Sequence, residues 1–231
     1  MLGYAAGARR HGATVLTGVE VTGIRLAASA SGPAEVLGVE TTAGPVRTER
    51  WSPRVGAMVG VDLPVTPLRR QILVTEPLPA SIATLVPADM PMTIDVASTF
   101  YLHPEGPGVL LGMSWAGERP GFDTARDDGW LPDLAAALEH RAPALLDIGV
   151  AHGWGGLYEV TPDHNALIGE AGTVSRFLYA TGFSGHGFLQ GPAVGEVLRD
   201  LYLGREPIVD VTPLSADRFA GGATRPERAV V

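Results

Sequence analysis

The run Gly182-Phe183-Ser184-Gly185-His186-Gly187 constrains this chain more than any other six residues. It follows a short apolar stretch, Arg176 to Thr181, and precedes a segment with helically spaced apolar residues. The order is strand, glycine-rich turn, helix. Glycines at 182, 185 and 187 remove side chains where a backbone must approach a flat or charged ligand. Ser184 and His186 place polar groups between them. Two readings stand side by side: a cofactor-facing turn, and an ordinary tight connection, since glycine serves turns of every kind. His186 is open in the same way, between a turn histidine bonded to a carbonyl and a group beside a ring or substrate.

Size and composition bound what such a turn can belong to. The chain has 231 residues, 45% of them hydrophobic, which suffices for one large domain or two small ones. Its 30 glycines and 19 prolines point to short elements and many turns rather than a helical bundle. The net charge of −8 offers no basic footprint for nucleic acid. With no cysteine, disulfides, thiolate catalysis and thiolate metal sites are excluded, and a cytoplasmic setting is the default expectation. No apolar run approaches the roughly 18 residues of a membrane span.

The order of patterns is discontinuous. Residues 3–11 read as an alanine-rich helix closed by Gly12, and Ala13 to Leu16 as a buried strand. Glu20–Leu26, Glu35–Thr41 and Pro45–Glu49 form a small meander, and a short helix runs from Val55 to Val59. Leu68–Glu76, Thr93–Leu102, Gly108–Trp115 and His152–Glu159 read as antiparallel strands, with Asp128–Arg141 as a covering helix. From Phe177 a parallel α/β character is expected to resume, with a helix over Pro192–Leu203. This gives segments at 1–66, 67–160 and 161–212, and a loose tail at 213–231.

Several residues could carry chemistry. Alternation sends Arg69 and Gln71 to one face of a strand and Arg70 to the other. An arginine on an apolar face suits a carboxylate substrate or an ion pair between layers. Tyr101 and His103 share a face near a strand end. Trp115 and Trp154 read as packing residues. Thr161-Pro162-Asp163 is a turn signal, and Asp163 with His164 reads better as a capping network than as an acid/base pair. His152, His164 and His186 lack metal-ligand spacing. No G-x-S-x-G elbow, phosphate-loop lysine or H-E-x-x-H helix occurs, and no strand-linked G-x-G-x-x-G.

Four segments taken together, Tyr4–Ile24, Trp51–Pro77, Gly153–Gly169 and Phe177–Gly204, resemble the FAD-dependent amine and amino-acid oxidoreductases of the D-amino-acid oxidase type. That group includes sarcosine oxidase, glycine oxidase and dimethylglycine dehydrogenase-like proteins. The phrases WSPRVGAMVGVDLPVTPLRRQILVTEP, GWGGLYEVTPDHNALIG and LYATGFSGHGFLQGPAVGEVL carry the likeness. The resemblance implies an α/β plus α+β fold, an incomplete FAD-binding Rossmann-like layer with an antiparallel substrate-binding layer. It implies that Gly182, Ser184, Gly185, His186 and Gly187 line the flavin, with a helix starting near Gln190 aimed at it. Val21 would lie at the adenine end. Arg69, Gln71, Tyr101, His103 and Trp154 become candidate substrate residues, with His186, Tyr101 and Arg69 the catalytic candidates. The implied reaction oxidises the carbon–nitrogen bond of a small amine or amino acid by hydride transfer to FAD, after which the imine hydrolyses.

The chain departs from this pattern twice. The family's dinucleotide fingerprint would precede Met1. An apolar strand and small-residue turn would precede Ser52-Pro53-Arg54, where Val46 to Arg50 runs straight to Trp51. The expectation is therefore weak FAD retention by the isolated chain. The alternative is a noncatalytic or complementing subunit, completed by a protein partner that supplies the missing part of the FAD site.

Overall fold

The computed structural model describes residues 2–27, 32–48, 56–220 and 224–227. Helix α1 (Leu2–Arg10) buries none of its residues and ends where Gly12 takes a φ of +90°. Ala13 to Leu16, expected as a buried strand, is instead exposed and irregular, and no described strand pairs with it. A lone extended segment with no ladder partner gains nothing from its apolar side chains.

The meander forms as expected. Strands β1 (Val21–Ala27), β2 (Ala34–Thr41) and β3 (Val46–Arg47) pair antiparallel, with β2 in the middle. A 3-10 turn follows at Gly56–Val59, and residues 49–55, which hold Trp51 and the Ser52-Pro53-Arg54 phrase, lie outside the described residues.

The largest element is a five-stranded sheet. Its strands are β4 (Thr66–Thr75), β5 (Thr93–Ile94), β6 (Tyr101–Glu105), β7 (Gly108–Gly112) and β8 (Val150–Val160), in the spatial order β5-β6-β7-β4-β8, all antiparallel. A short helix, α2 (Ala80–Ala83), follows β4. The single strand expected over Thr93–Leu102 is two strands folded on each other. The Asp95 N–H donates to the Phe100 carbonyl, the Ser98 hydroxyl donates to the Asp95 carboxylate at 2.6 Å, and Thr99 takes a φ of +61°. The side-chain hydrogen bond of Asp95 offers the backbone a turn in place of a ladder.

One face of this sheet is covered. Helix α3 (Leu131–Arg141) is preceded by a 3-10 turn whose Gly129 amide is capped by Asp127 at 2.7 Å. It presses Leu134, Ala137 and Leu138 onto Leu73, Phe100, Leu102, Val109, Leu111 and Trp130. Each fully buried leucine there stabilises the fold by about 2 kcal/mol. The opposite face carries no helix among these packing residues.

The last third joins both sheets. Strands β9 (Leu167–Glu170) and β11 (Leu178–Thr181) pair antiparallel, and β10 (Val174–Ser175) joins β2, the one parallel pairing among the described strands. The expected parallel layer after Phe177 is therefore an antiparallel hairpin over the described residues. Helix α4 (Gly187–Tyr202) begins three residues before Gln190, and Gly204 closes it at a φ of +65°. Its Val197 packs on Ala166 and Ile168.

The segment expected as a loose tail is clamped over its first residues. Two 3-10 turns, Thr212–Leu214 and Ala216–Phe219, lie against β9 and β11. Arg218 makes a two-pronged ion pair with the buried Asp163, at 2.9 and 2.8 Å. A buried carboxylate requires such a partner.

Candidate cofactor turn and substrate face

Three residues of the 182–187 turn occupy the left-handed region: Gly182 at φ +70°, Ser184 at +50° and Gly185 at +105°. Ser184 is an unusual residue for that region. Its hydroxyl donates to the Gly182 carbonyl at 3.3 Å and accepts from the Thr161 amide at 3.4 Å. The side chain is 1% exposed and faces inward, so the Ser184 hydroxyl shapes the turn. Gly185 is exposed and Gly187 partly so. The amides of Gly187, Phe188 and Leu189 meet no acceptor among the described hydrogen bonds, as the open start of a helix requires. His186 sits at the N-cap position, half-buried, with its amide on the Phe183 carbonyl.

Across from the turn lies the uncovered face of the five-stranded sheet. Direct partners in an antiparallel ladder share a face. One row runs Tyr101, Gly112, Ile72, Trp154, and the next His103, Leu110, Val74, His152. Arg70 is opposite Gly156 and Leu68 opposite Tyr158, so both Arg70 and Tyr158 join this face. The Arg70 guanidinium carbon stands 5.5 Å from the centroid of the Tyr158 ring. A Cβ at Gly112 would fall 2.3 Å from the Tyr101 hydroxyl, whereas one at Gly156 would meet nothing within 4 Å. The glycine at 112 lets the Tyr101 ring lie flat, and the glycine at 156 leaves room beside Arg70. The ring of Tyr158 in turn lies against Gly185, which joins sheet face and turn.

The electrostatics of this group are set by burial. Arg70 Nε is buried with no hydrogen-bond partner among the described residues, while Nη1 donates to the Arg69 carbonyl at 3.2 Å. Burial lowers the Arg70 pKa, opposed by Tyr158, Glu118 and Tyr101, and the side chain remains a cation. Burial, then repulsion from Tyr158, pushes the Tyr101 phenol up to about 12 against the pull of Arg70. Burial also raises Tyr158, again opposed by Arg70. Both phenols are therefore neutral hydrogen-bond donors near neutral pH.

The nominated residues divide between the two faces. Tyr101, His103 and Trp154 share the open face with Arg70. His103 Nδ1 donates to the Pro104 carbonyl at 2.8 Å, and Trp154, half-exposed, stacks on His152 at 5.9 Å between centroids. Arg69 and Gln71 lie on the covered face. Arg69 Nε contacts Glu118 at 3.0 Å, its Nη2 contacts Asp127 at 3.1 Å, and Nη1 donates to the Ala125 carbonyl. Hydrogen bonding to Glu118 raises the Arg69 pKa despite burial. Gln71 donates to the same Glu118. These groups are spent on structure, which corrects the assignment of Arg69 and Gln71 to the substrate. Val21 belongs to the separate meander sheet, opposite Thr41, and is not part of this group. Arg70, Tyr158 and Glu159 are the residues that sequence reasoning passed over. The period-two alternation that set Arg70 apart from Arg69 was the available signal.

Two cavities accompany the site. One of about 490 Å³ borders the turn, lined by Gly56, Val61, Asp62, Phe122, Glu159 and Thr181 among others. A larger one of about 550 Å³ lies between α2 and the end of α3. Phe100 and Leu102 of the covered face line it, so this larger space lies on the other side of the sheet from Arg70 and Tyr101, and its charged residues, Asp95 and Arg141, pair with each other at 2.9 Å.

The chain belongs to the FAD dependent oxidoreductase (DAO) family, which matches residues 1–201. It is similar to mitochondrial dimethylglycine dehydrogenase of Mus musculus, at 29% identity over 246 residues, covering 96% of this chain and 27% of that protein. The crystal structure of L-proline dehydrogenase from P. horikoshii superposes with a TM-score of 0.84 at 27% identity, covering 97% of this chain and 60% of that one. Glycine oxidase from Geobacillus kaustophilus gives a TM-score of 0.74 at 25% identity, covering 94% and 56%. The chain thus spans less than two thirds of the length of each of these proteins.

FAD is the cofactor of this family. The residues present fit it. The unmatched amides at Gly187 to Leu189 suit a negatively charged group, and the exposed Gly185 permits close approach to a flat ring.

Proposed function

We propose that this chain forms the substrate face and the flavin-facing turn of an oxidoreductase acting at the carbon–nitrogen bond of a small amino acid. One observation supports it above all: a buried Arg70 Nε without a partner, between two neutral tyrosines, beside the glycine turn. A buried guanidinium N–H without an acceptor in an apolar setting favours an anionic ligand. Arg70 binds the substrate carboxylate, and the Tyr101 and Tyr158 hydroxyls donate hydrogen bonds to the same group or to the substrate nitrogen. The Tyr101 ring and the gap at Gly156 fix the orientation. FAD, when bound, supplies the two-electron acceptor.

The test is anaerobic mixing of the flavin-loaded protein, copurified from its native cell, with N-methylated and cyclic amino acids and with the corresponding amines lacking the carboxylate. Bleaching of the visible flavin absorbance by the acids alone is the expected result. Equal bleaching by the amines, or none by either, would overturn it.

A second reading is favoured by the outer surface of α1 and α4. Leu2 and Tyr4 of α1 and Phe188 and Leu189 of α4 are all largely exposed. A protein partner that carries a dinucleotide-binding motif would cover these side chains and complete the FAD site. Mass measurement of the copurified species distinguishes this assembly from a chain acting alone.

A further inference from the structure

We infer that Glu159 is the positioning residue of the flavin turn, an inference that rests on the functional reading above for its consequence but not for its geometry. Tyr158 and Glu159 are neighbours near the end of β8 and serve opposite sides of the same junction. Tyr158 packs its ring on Gly185. Glu159 reaches the other end of the turn. Its Oε2 accepts from the Thr181 hydroxyl at 2.9 Å and from the Gly182 amide at 3.3 Å. Its main-chain carbonyl accepts from the Ser184 amide at 3.0 Å. One residue of the substrate sheet therefore gathers three donors, from positions 181, 182 and 184.

The turn requires such a hold. A non-glycine residue in the left-handed region persists only where its surroundings over-determine it, and Ser184 is at φ +50°. The Gly182 and Ser184 amides both find their acceptors on Glu159, outside the run 182–187. The Glu159 carboxylate also borders the 490 Å³ cavity next to the turn. A side chain that served only the ladder of β8 would have no need of an acceptor directed out of the strand, since strand pairing uses the backbone alone. Because a single oxygen takes the contacts from Thr181 and Gly182, an amide carbonyl at the same place can take over those two.

The test compares wild type, Glu159→Gln and Glu159→Ala in the full chain by residue-resolved amide hydrogen exchange and by FAD titration. Glu159→Ala is expected to speed exchange at Gly182 about tenfold or more, leaving the Leu73–Leu111 core unchanged, and Glu159→Gln to stay within about twofold of wild type. FAD affinity should follow the same order, weakened about tenfold in Glu159→Ala and restored in Glu159→Gln. Unchanged exchange at Gly182 in Glu159→Ala, or a Glu159→Gln as perturbed as Glu159→Ala, overturns the inference. Absence of FAD binding by every form, wild type included, counts against the functional reading, while the exchange comparison still decides the role of Glu159. If Glu159→Ala does not fold, Thr181→Val, which removes only one donor, takes its place. Local acceleration at Gly182 then supports the inference and its absence refutes it.

Discussion

Gly185 has no side chain at the point where one would strike the ring of Tyr158: a Cβ there would fall 2.5 Å from Cε2. The contact fastens the glycine turn to the end of β8. It places the exposed backbone of the turn next to the sheet face that holds Arg70 and Tyr101.

Gly185→Ala should therefore be costly twice. The φ of +105° is unfavourable for alanine, and the methyl group would displace the Tyr158 ring. A loss of about 2 kcal/mol or more is expected in denaturant unfolding. Gly191→Ala, in an open position on α4, is the control and should be neutral or slightly stabilising.

Arg70→Met should separate binding from stability. Because Arg70 Nε has no partner among the described residues and Nη1 gives up a single hydrogen bond, to the Arg69 carbonyl, the change in stability should stay near about 1 kcal/mol. Affinity for a carboxylate ligand should fall about tenfold to a hundredfold. Isothermal calorimetry and denaturant unfolding on the same variant check the two halves. Arg69→Met should do the reverse, stranding Glu118 while leaving affinity nearly unchanged.

The Tyr101 phenol, pushed up to about 12 from the ordinary 10, links stability to alkaline pH. The folded state binds the proton more tightly than the unfolded chain does. Its contribution is complete below the unfolded value and is lost as pH rises through the window from about 10 to about 12. Wild type should lose stability across that window, and Tyr101→Phe should lack this part of the loss. Spectrophotometric titration of tyrosinate should show one fewer late-titrating group in the variant.

Arg218→Ala should destabilise the chain beneath the turn, where Asp163 meets the Thr161 hydroxyl. It leaves a buried Asp163 carboxylate unpaired, at a cost of about 3–5 kcal/mol. Asp163 also reports in acid. Burial alone would raise its pKa, but hydrogen bonds from Arg218 and Asn165 outweigh burial and hold it below the ordinary aspartate value. A group depressed in the fold stabilises above its unfolded pKa of about 4 and loses that contribution as pH falls below it. Unfolding measured against pH should show this slope in wild type and not in Asp163→Asn.

Much of the local structure was legible in the residues. Glycines and apolar spacing marked the strand, turn and helix around 182–187, the meander, and the helix over 131–141, because periods of two and 3.6 and a need for positive φ are written in neighbouring positions. Alternation also placed Arg69 and Gln71 on one face and Arg70 on the other. Which face would be open was not legible, because α3 and the segment holding Glu118 and Asp127 cover one face through contacts about fifty residues distant along the chain. The same holds for the segment after Thr212, whose Arg218 finds Asp163 across 55 positions, and for Glu159, which meets the Gly182 amide across 23. Local patterning sets what each segment can become. The choice among its faces belongs to packing, because a buried charge is stable only beside a partner that the fold alone brings near.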